Sequence, residues 1–273
     1  LKEYPIFCVP LVVTSGTESY RDNIDITVET IYARQKNENF KTSLPRPQDI
    51  EDVYSAIARQ GYTHVIVLMI AECLSSANNL MRLAAEEHPE LTVKVFDSKS
   101  ASIGLGALAV QVARYAVRGV AFDPLCELTK RLIDDTVVYF LLDTLEYLQR
   151  GGRIGRATAL AGGLLQIKPI LTFDRKDGMI STAAKVRGRR GVQQRLIELA
   201  TELAAKHPGE EYNLVVCDGN VPEGGAALEA ALTRALPNAH RVLHGKIDAT
   251  LAVHLGPNLL GVGVQFLNSK LPA

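Results

Sequence analysis

Apolar residues run over strand-length segments at 7–13, 64–70 and 137–142, 91–96 reads as a further strand, and apolar residues recur with helical spacing between them. Ile50, Val53 and Ile57 share one face of a helix over 47–60, which Pro47 suits at its first turn. Ser75 or Ser76 can cap a helix running to about Glu87. The run from His64 to Ile70 shows no polar alternation, as expected of a strand covered on both faces. Residues 103–118 form a nearly all-apolar helix with one narrow polar stripe, Gln111, Arg114 and Arg118, so it should be buried on most sides. Gly119 ends it, and Asp123-Pro124 opens another helix with Leu125, Leu128 and Leu132 inward. This alternation of strand and helix predicts a parallel sheet, with 137–142 as its fourth strand.

After Gly151-Gly152 the pattern changes. Segments 169–173 and 179–186 flank Asp174-Arg175-Lys176-Asp177-Gly178, which reads as an antiparallel hairpin with a five-residue loop. A helix over 190–206 follows, with Val192, Leu196, Leu199 and Leu203 on one face, then a strand at 213–217, a helix at 224–235 and strand-like segments at 241–247 and 259–266. The expected fold class is α/β: an N-terminal parallel-sheet domain over 1–150 and a C-terminal α+β domain over 151–273.

Composition narrows the function. Lys plus Arg and Asp plus Glu both number 30, so the basic excess of a nucleic-acid binder is missing. The longest apolar candidate, 101–117, is broken by Gly104, Gly106, Gln111 and Arg114 and falls short of the ~20 residues that cross a bilayer. No signal-peptide pattern opens the chain at Leu1. Cys8, Cys73, Cys126 and Cys217 are far apart, which reads as buried free thiols in a reduced, cytoplasmic setting rather than a zinc site.

Several motifs carry candidate chemistry, each with a plainer reading beside it. Thr42-Ser43-Leu44-Pro45-Arg46-Pro47 is either a rigid loop offering hydroxyl donors to a ligand or a helix-entry turn. Leu74-Ser75-Ser76 ends an apolar strand and opens a helix, where open α/β sheets bind ligands and helix N-termini favour anions; simple capping is the alternative. Gly151-Gly152-Arg153-Ile154-Gly155-Arg156 matches no phosphate-loop pattern and reads as a joining turn. His254-Leu255-Gly256-Pro257 places one histidine before a tight turn. Asp143 reads as a helix cap with Glu146 three residues on. Lys185-Val186-Arg187-Gly188-Arg189-Arg190 is a basic cluster, either a solvated face or a docking patch. No nucleophile elbow, metal motif or paired-carboxylate signature is legible.

Taken together and in order, several of these segments resemble the DegV family, which includes the fatty-acid-binding subunit of bacterial fatty acid kinase. Val9-Pro10-Leu11 with Tyr20-Arg21-Asp22, Thr42-Ser43-Leu44-Pro45, Leu74-Ser75 and Asp97-Ser98-Lys99 are similar to family stretches. So are Leu145-Glu146-Tyr147-Leu148, Gly151-Gly152-Arg153-Ile154, Ile167-Lys168-Pro169-Ile170-Leu171 and His254-x-Gly256-Pro257. Two departures stand out. Ser76-Ala77 replace Gly-Thr after the motif serine, and Ala71-Glu72 replace the usual serines upstream, which sets a carboxylate near an anion site unless Glu72 points away. The family also begins with a strand ending in Asp-Ser, so a first strand is expected before Leu1.

The resemblance implies two domains with an acyl chain threaded through a tunnel between them, and no cofactor. It implies that Thr42, Ser75 and His254 hold the carboxylate of a long-chain fatty acid, with no catalytic residue and no metal. It further implies a non-enzymatic carrier that presents the acid to a separate fatty acid kinase for phosphorylation. Arg187, Arg189 and Arg190 then become candidates for docking the kinase or, transiently, an acidic membrane surface. Ala107, Leu108, Leu164 and Leu165 are candidates for the tunnel wall. About 14 buried methylenes at roughly 0.8 kcal/mol each can offset association costs of ~4–15 kcal/mol. The rival expectation is an enzyme acting on a small acyl or phosphorylated substrate in the same cleft, with His254 as base.

Overall fold

The computed structural model describes residues 3–160, 167–188 and 191–267. Near the N-terminus, β1 (Val12–Ser15) and β2 (Glu18–Arg21) form a hairpin whose two-residue turn is Gly16-Thr17, with Gly16 at φ +59°. Helix α1 (Val28–Arg34) leads to β3 (Phe40–Ser43), which pairs antiparallel with β1. Thr42 therefore sits in a strand, opposite Val13, rather than in the expected loop. Short, polar strands of this kind carry no apolar alternation to announce them.

Helix α2 (Pro47–Arg59), β4 (His64–Met69), α3 (Ala77–Glu86) and β5 (Thr92–Asp97) follow, with β4 and β5 paired in parallel. The uninterrupted apolar run of β4 is explained by its two covers. Val65, Val67 and Met69 pack with Ile50, Tyr54, Ile57 and Met81 of α2 and α3. Ile66 and Leu68 face the other way, towards α4 (Ser102–Val117) and α5 (Phe122–Asp134), through Leu108, Val112 and Leu132. Two of the three residues of the polar stripe are not solvated: Gln111 and Arg114 are buried, and Gln111 accepts hydrogen bonds from Arg114 and from Asn213, while Arg118 is exposed.

The rest of the chain supplies β6 (Thr136–Leu141), α6 (Glu146–Arg150), a 3₁₀ turn at Gly155–Leu160, β7 (Ile167–Phe173), β8 (Ile180–Arg187) and α7 (Val192–Ala205). It ends with β9 (Tyr212–Gly219), α8 (Pro222–Ala235), β10 (Arg241–Lys246), α9 (Ala249–Leu255) and β11 (Leu259–Phe266). Six strands form one sheet in the order β10-β9-β11-β6-β7-β8, antiparallel except for β9 and β10. The expectation for 137–142 is corrected here: β6 lies between β11 and β7, antiparallel to both, and not beside β5. An apolar strand advertises its burial, but not which sheet will bury it. The hairpin over β7 and β8 forms as expected. Asp143 does not cap α6; the Thr144 hydroxyl accepts from the Glu146 N–H, while Asp143 takes Lys168 Nζ on its carbonyl at 2.6 Å. The four cysteines are free, and Cys8 and Cys73 are exposed rather than buried.

One face of the six-stranded sheet is filled by α7 and α8, through Leu196, Leu228 and Leu232 against Leu214, Val262 and Phe266. The opposite face meets the first turns of α4, the three-stranded sheet, α1 and α9. The candidate site opens within that second layer.

Candidate functional site

A cavity of about 300 Å³ lies between this second face, the carboxyl ends of β3 and β4, and α9. Its volume is at the lower end of the roughly 300–1,000 Å³ of small-molecule sites. Thr42, Ser75 and His254, which are far apart in sequence, all line it. Its remaining wall is mainly apolar, with Leu148, Val138, Phe140, Phe173, Ile180 and Leu259.

Thr42 and His254 meet directly: Oγ1 and Nε2 are 2.7 Å apart. Each is placed by its own element. Thr42 is held by the β1–β3 ladder. Helix α9 is tied down at its start by two carboxylates, since Asp248 accepts from the Leu251 N–H at 2.7 Å and Asp22 accepts from Ala249 and Thr250 at 3.1 and 3.0 Å. Burial, and then the Asp22 carboxylate beside it, push the Asp248 carboxyl up. Gly256, at φ +69°, ends the helix after Leu255, the residue that follows His254, and a Cβ there would stand 2.4 Å from the Tyr147 ring. Gly151 allows the imidazole to lie against the backbone; a Cβ there would stand 2.2 Å from His254 Nδ1.

Burial, and then the positive charge of Arg153, lower the His254 pKa from 6.5 to about 4. The ring is therefore neutral at pH 7. A neutral ring protonated on Nε2 donates to Thr42 Oγ1, which leaves the threonine proton to be given to a third group. His254 Nδ1 is buried without a partner among the described residues.

Ser75 lies just ahead of α3, next to its N-cap Ser76. Its Oγ accepts from the Ala77 N–H at 3.3 Å, so its own proton is also available. Ser76 is the N-cap residue and makes no side-chain cap bond; it lines the cavity too. The positive end of the α3 dipole thus points at the site. Glu72 turns away and pairs with Arg82 at 2.8 Å. Arg153, which the sequence shows only as part of a glycine turn, also lines the cavity. Its Nε and Nη1 bond the carbonyls of Leu74 and Gly151 at 3.2 and 2.6 Å, so its charge is anchored without meeting a carboxylate in those bonds. Neutral hydroxyls, a neutral imidazole, a helix N-terminus and a cation together suit an anion at the end of an apolar space.

The other expected positions divide. Ala107 and Leu108 do not line the cavity: Ala107 packs under the six-stranded sheet and Leu108 against α5. Leu164 and Leu165 lie outside the described residues, as do Arg189 and Arg190. Arg187 is exposed at the end of β8, the last strand of its sheet. Among the described residues no cluster of three metal-ligating side chains occurs, and no helix is long and apolar enough to cross a membrane.

The family model described as "Uncharacterised protein, DegV family" matches residues 1–267. The chain belongs to the DegV family. A DegV domain-containing protein of Clostridium acetobutylicum is 33% identical over 267 residues, covering 96% of this chain and 92% of the relative. Among solved DegV-like structures, a fatty-acid-binding DegV protein of Thermus thermophilus superposes with a TM-score of 0.86 at 30% identity, over 95% of this chain and 91% of the other. A stearic acid-binding protein of Eubacterium ventriosum superposes with a TM-score of 0.88 at 27% identity, over 98% and 93%. The DegV architecture also shows why the sequence hid Arg153 and Asp22. One is an exposed side chain on a turn and the other a buried helix anchor, and both roles depend on residues far away in the chain.

Proposed function

We propose that this DegV chain binds one long-chain fatty acid in the 300 Å³ cavity and presents its carboxylate at the Thr42–His254 pair. The observation that carries this reading is that pair, a neutral, mutually bonded donor set at the margin of an otherwise apolar space. Ser75 and Arg153 complete the head-group site: Ser75 gives a hydroxyl proton, and Arg153 gives charge without filling the pocket. The fatty-acid ligands of the Thermus and Eubacterium relatives support the same choice of ligand.

The protein acts as a carrier, with no chemistry of its own, and hands the carboxylate to a separate kinase. Arg187, with Arg189 and Arg190, forms the docking patch for that partner. Charge reversal by Arg187→Glu should leave fatty-acid binding unchanged and slow phosphorylation of the bound acid by the kinase. The reading of His254 as an enzymatic base is weaker. A general base works best with a pKa near the operating pH, and this ring sits at about 4, with no partner among the described residues to orient Nδ1.

Denaturing extraction of the purified protein, followed by mass spectrometry, tests the ligand. A long-chain fatty acid should be recovered in stoichiometric amount. Recovery of no acyl species, together with no binding of added fatty acid, would overturn the reading.

A further inference from the structure

Two hydroxyls in the wall of the cavity are left over by the fold. Thr250, which is 6% exposed, and Ser102 both line it. Among the described residues, Thr250 Oγ1 and Ser102 Oγ are buried and have no hydrogen-bond partner. Buried hydroxyls are normally bonded, so each needs an explanation. The hydroxyls of Ser43 and Ser76, which line the same cavity, belong to exposed residues that water can reach.

The local backbone explains why neither is used. Thr129, Thr136 and Thr201 each give their proton to the carbonyl four residues back, at 2.8, 2.6 and 2.9 Å. Thr250 is the second residue of α9, and the residue four positions back, Lys246, lies in β10 and outside the helix. Asp22 takes up the Thr250 N–H at 3.0 Å but not its hydroxyl. Ser102 is the first residue of α4, at φ +54°. In the turn before it, Ser98 Oγ donates to the Ser100 carbonyl and accepts from the Ser100 N–H, and Ser100 Oγ donates to the Ala101 carbonyl. Those two serines close the turn, and the third is spare. Thr250 also precedes His254 by four residues, so the two side chains share one face of α9, about 6 Å apart along the helix. Carbons that follow a carboxylate bound at His254 can therefore pass Thr250. A hydroxyl on such a carbon both donates and accepts, which matches the capacity of Ser102 and Thr250.

We propose that Thr250 and Ser102 form a second polar station in the cavity, which selects a long-chain acid that carries a hydroxyl part-way along its chain. The proposal rests on the fatty-acid reading of the cavity and adds a preference among acids. A plain acyl chain would leave both protein hydroxyls buried and unpaired, whereas a hydroxylated chain pairs them. Sites with buried polar groups discriminate in this way against ligands that lack the matching group.

The test is equilibrium binding of octadecanoic acid and of its monohydroxy isomers, which differ in the position of the hydroxyl, to the delipidated full chain. One isomer, with its hydroxyl in the carboxyl half of the chain, should bind at least as tightly as octadecanoic acid, although its hydroxyl must leave water. Thr250→Val and Ser102→Ala should each lower the affinity of that isomer relative to the plain acid by about threefold to tenfold, the scale of one neutral hydrogen bond. Thr250→Ser keeps a hydroxyl and should keep the preference, and it guards against a variant that fails to fold. If no isomer matched octadecanoic acid, or if a preference survived both Thr250→Val and Ser102→Ala unchanged, the proposal would be overturned while fatty-acid binding stood. If octadecanoic acid and all its isomers failed to bind, the ligand assignment would fall, and this proposal with it.

Discussion

Along β11, alternate residues enter two different surroundings. Leu260, Val262, Val264 and Phe266 face α7 and α8, where large side chains interlock. Gly261 and Gly263 face the other way, towards α4 and the cavity side, with Leu259 at the cavity and Gln265 in a buried bond to Thr136. One strand therefore supplies large side chains to one layer and two glycines to the other within eight residues. The difference lies in side-chain volume. The first layer is packed by the strand's own side chains; on the second, neighbouring elements close in over the glycines, with Ile103 Cδ1 3.6 Å from where a Gly261 Cβ would stand.

The largest effect should come from the filled face. Phe266→Ala removes a ring that stacks on His207 at 4.0 Å and contacts Tyr212, and it should cost about 3–5 kcal/mol in denaturant unfolding. Any fatty-acid affinity measured below the unfolding transition should be unchanged. A matching loss of affinity would show that the two faces are not separable.

On the cavity side, stability should depend on acid. The unfolded chain protonates His254 near 6.5, whereas the folded protein does so only near 4. Between these values the unfolded state holds more protons, so stability should fall as pH falls through that window, by up to about 3 kcal/mol. His254→Gln should remove this dependence, as judged by urea midpoints at pH 7 and pH 4.5.

Next in size is the head group. Each hydrogen bond to a charged group is worth about 1.5–3 kcal/mol, so Thr42→Val and Ser75→Ala should each weaken fatty-acid binding by roughly tenfold to a hundredfold. Valine suits the strand at position 42, and loss of a cap-region serine costs about 1 kcal/mol, so both proteins should fold. Circular dichroism and a binding isotherm on the same sample check the pair.

The smallest effect belongs to His88, which is buried where α3 ends and bonds Glu51 and Glu90 at 3.0 and 3.1 Å. Burial disfavours its charged form, but the two carboxylates outweigh that and raise its pKa above 6.5. Its contribution is fully present below 6.5 and is lost as pH rises through the folded value, the opposite sign to His254. His88→Gln should therefore flatten a slight loss of stability above neutrality, visible in thermal melts taken from pH 6 to pH 8.

The sequence made much of this fold legible where burial leaves a period. The run of β4, the amphipathic α2, α5 and α7, and the hairpin of β7 and β8 all announce themselves through apolar spacing. Strands β2 and β3 and helix α9 do not, being four to seven residues long and held by distant partners such as Asp22. The sheet that receives β6 is likewise a non-local choice that its own residues cannot encode. Thr42, Ser75 and His254 came from family resemblance, and the structure brings them to one cavity. Arg153 carries no signal of its own, because beside Gly151 and Gly152 it looks like a turn residue.

The chain has six histidines, so the His254 ring can be followed by NMR in selectively labelled protein. A carboxylate seated at Thr42 and His254 favours the protonated imidazole. On addition of palmitate to delipidated protein, the His254 resonances should shift at stoichiometric ligand and titrate well above 4, while those of His88 stay in place. Palmitate that binds with its usual affinity but leaves the His254 signals and their titration unchanged would contradict a head group held at this site.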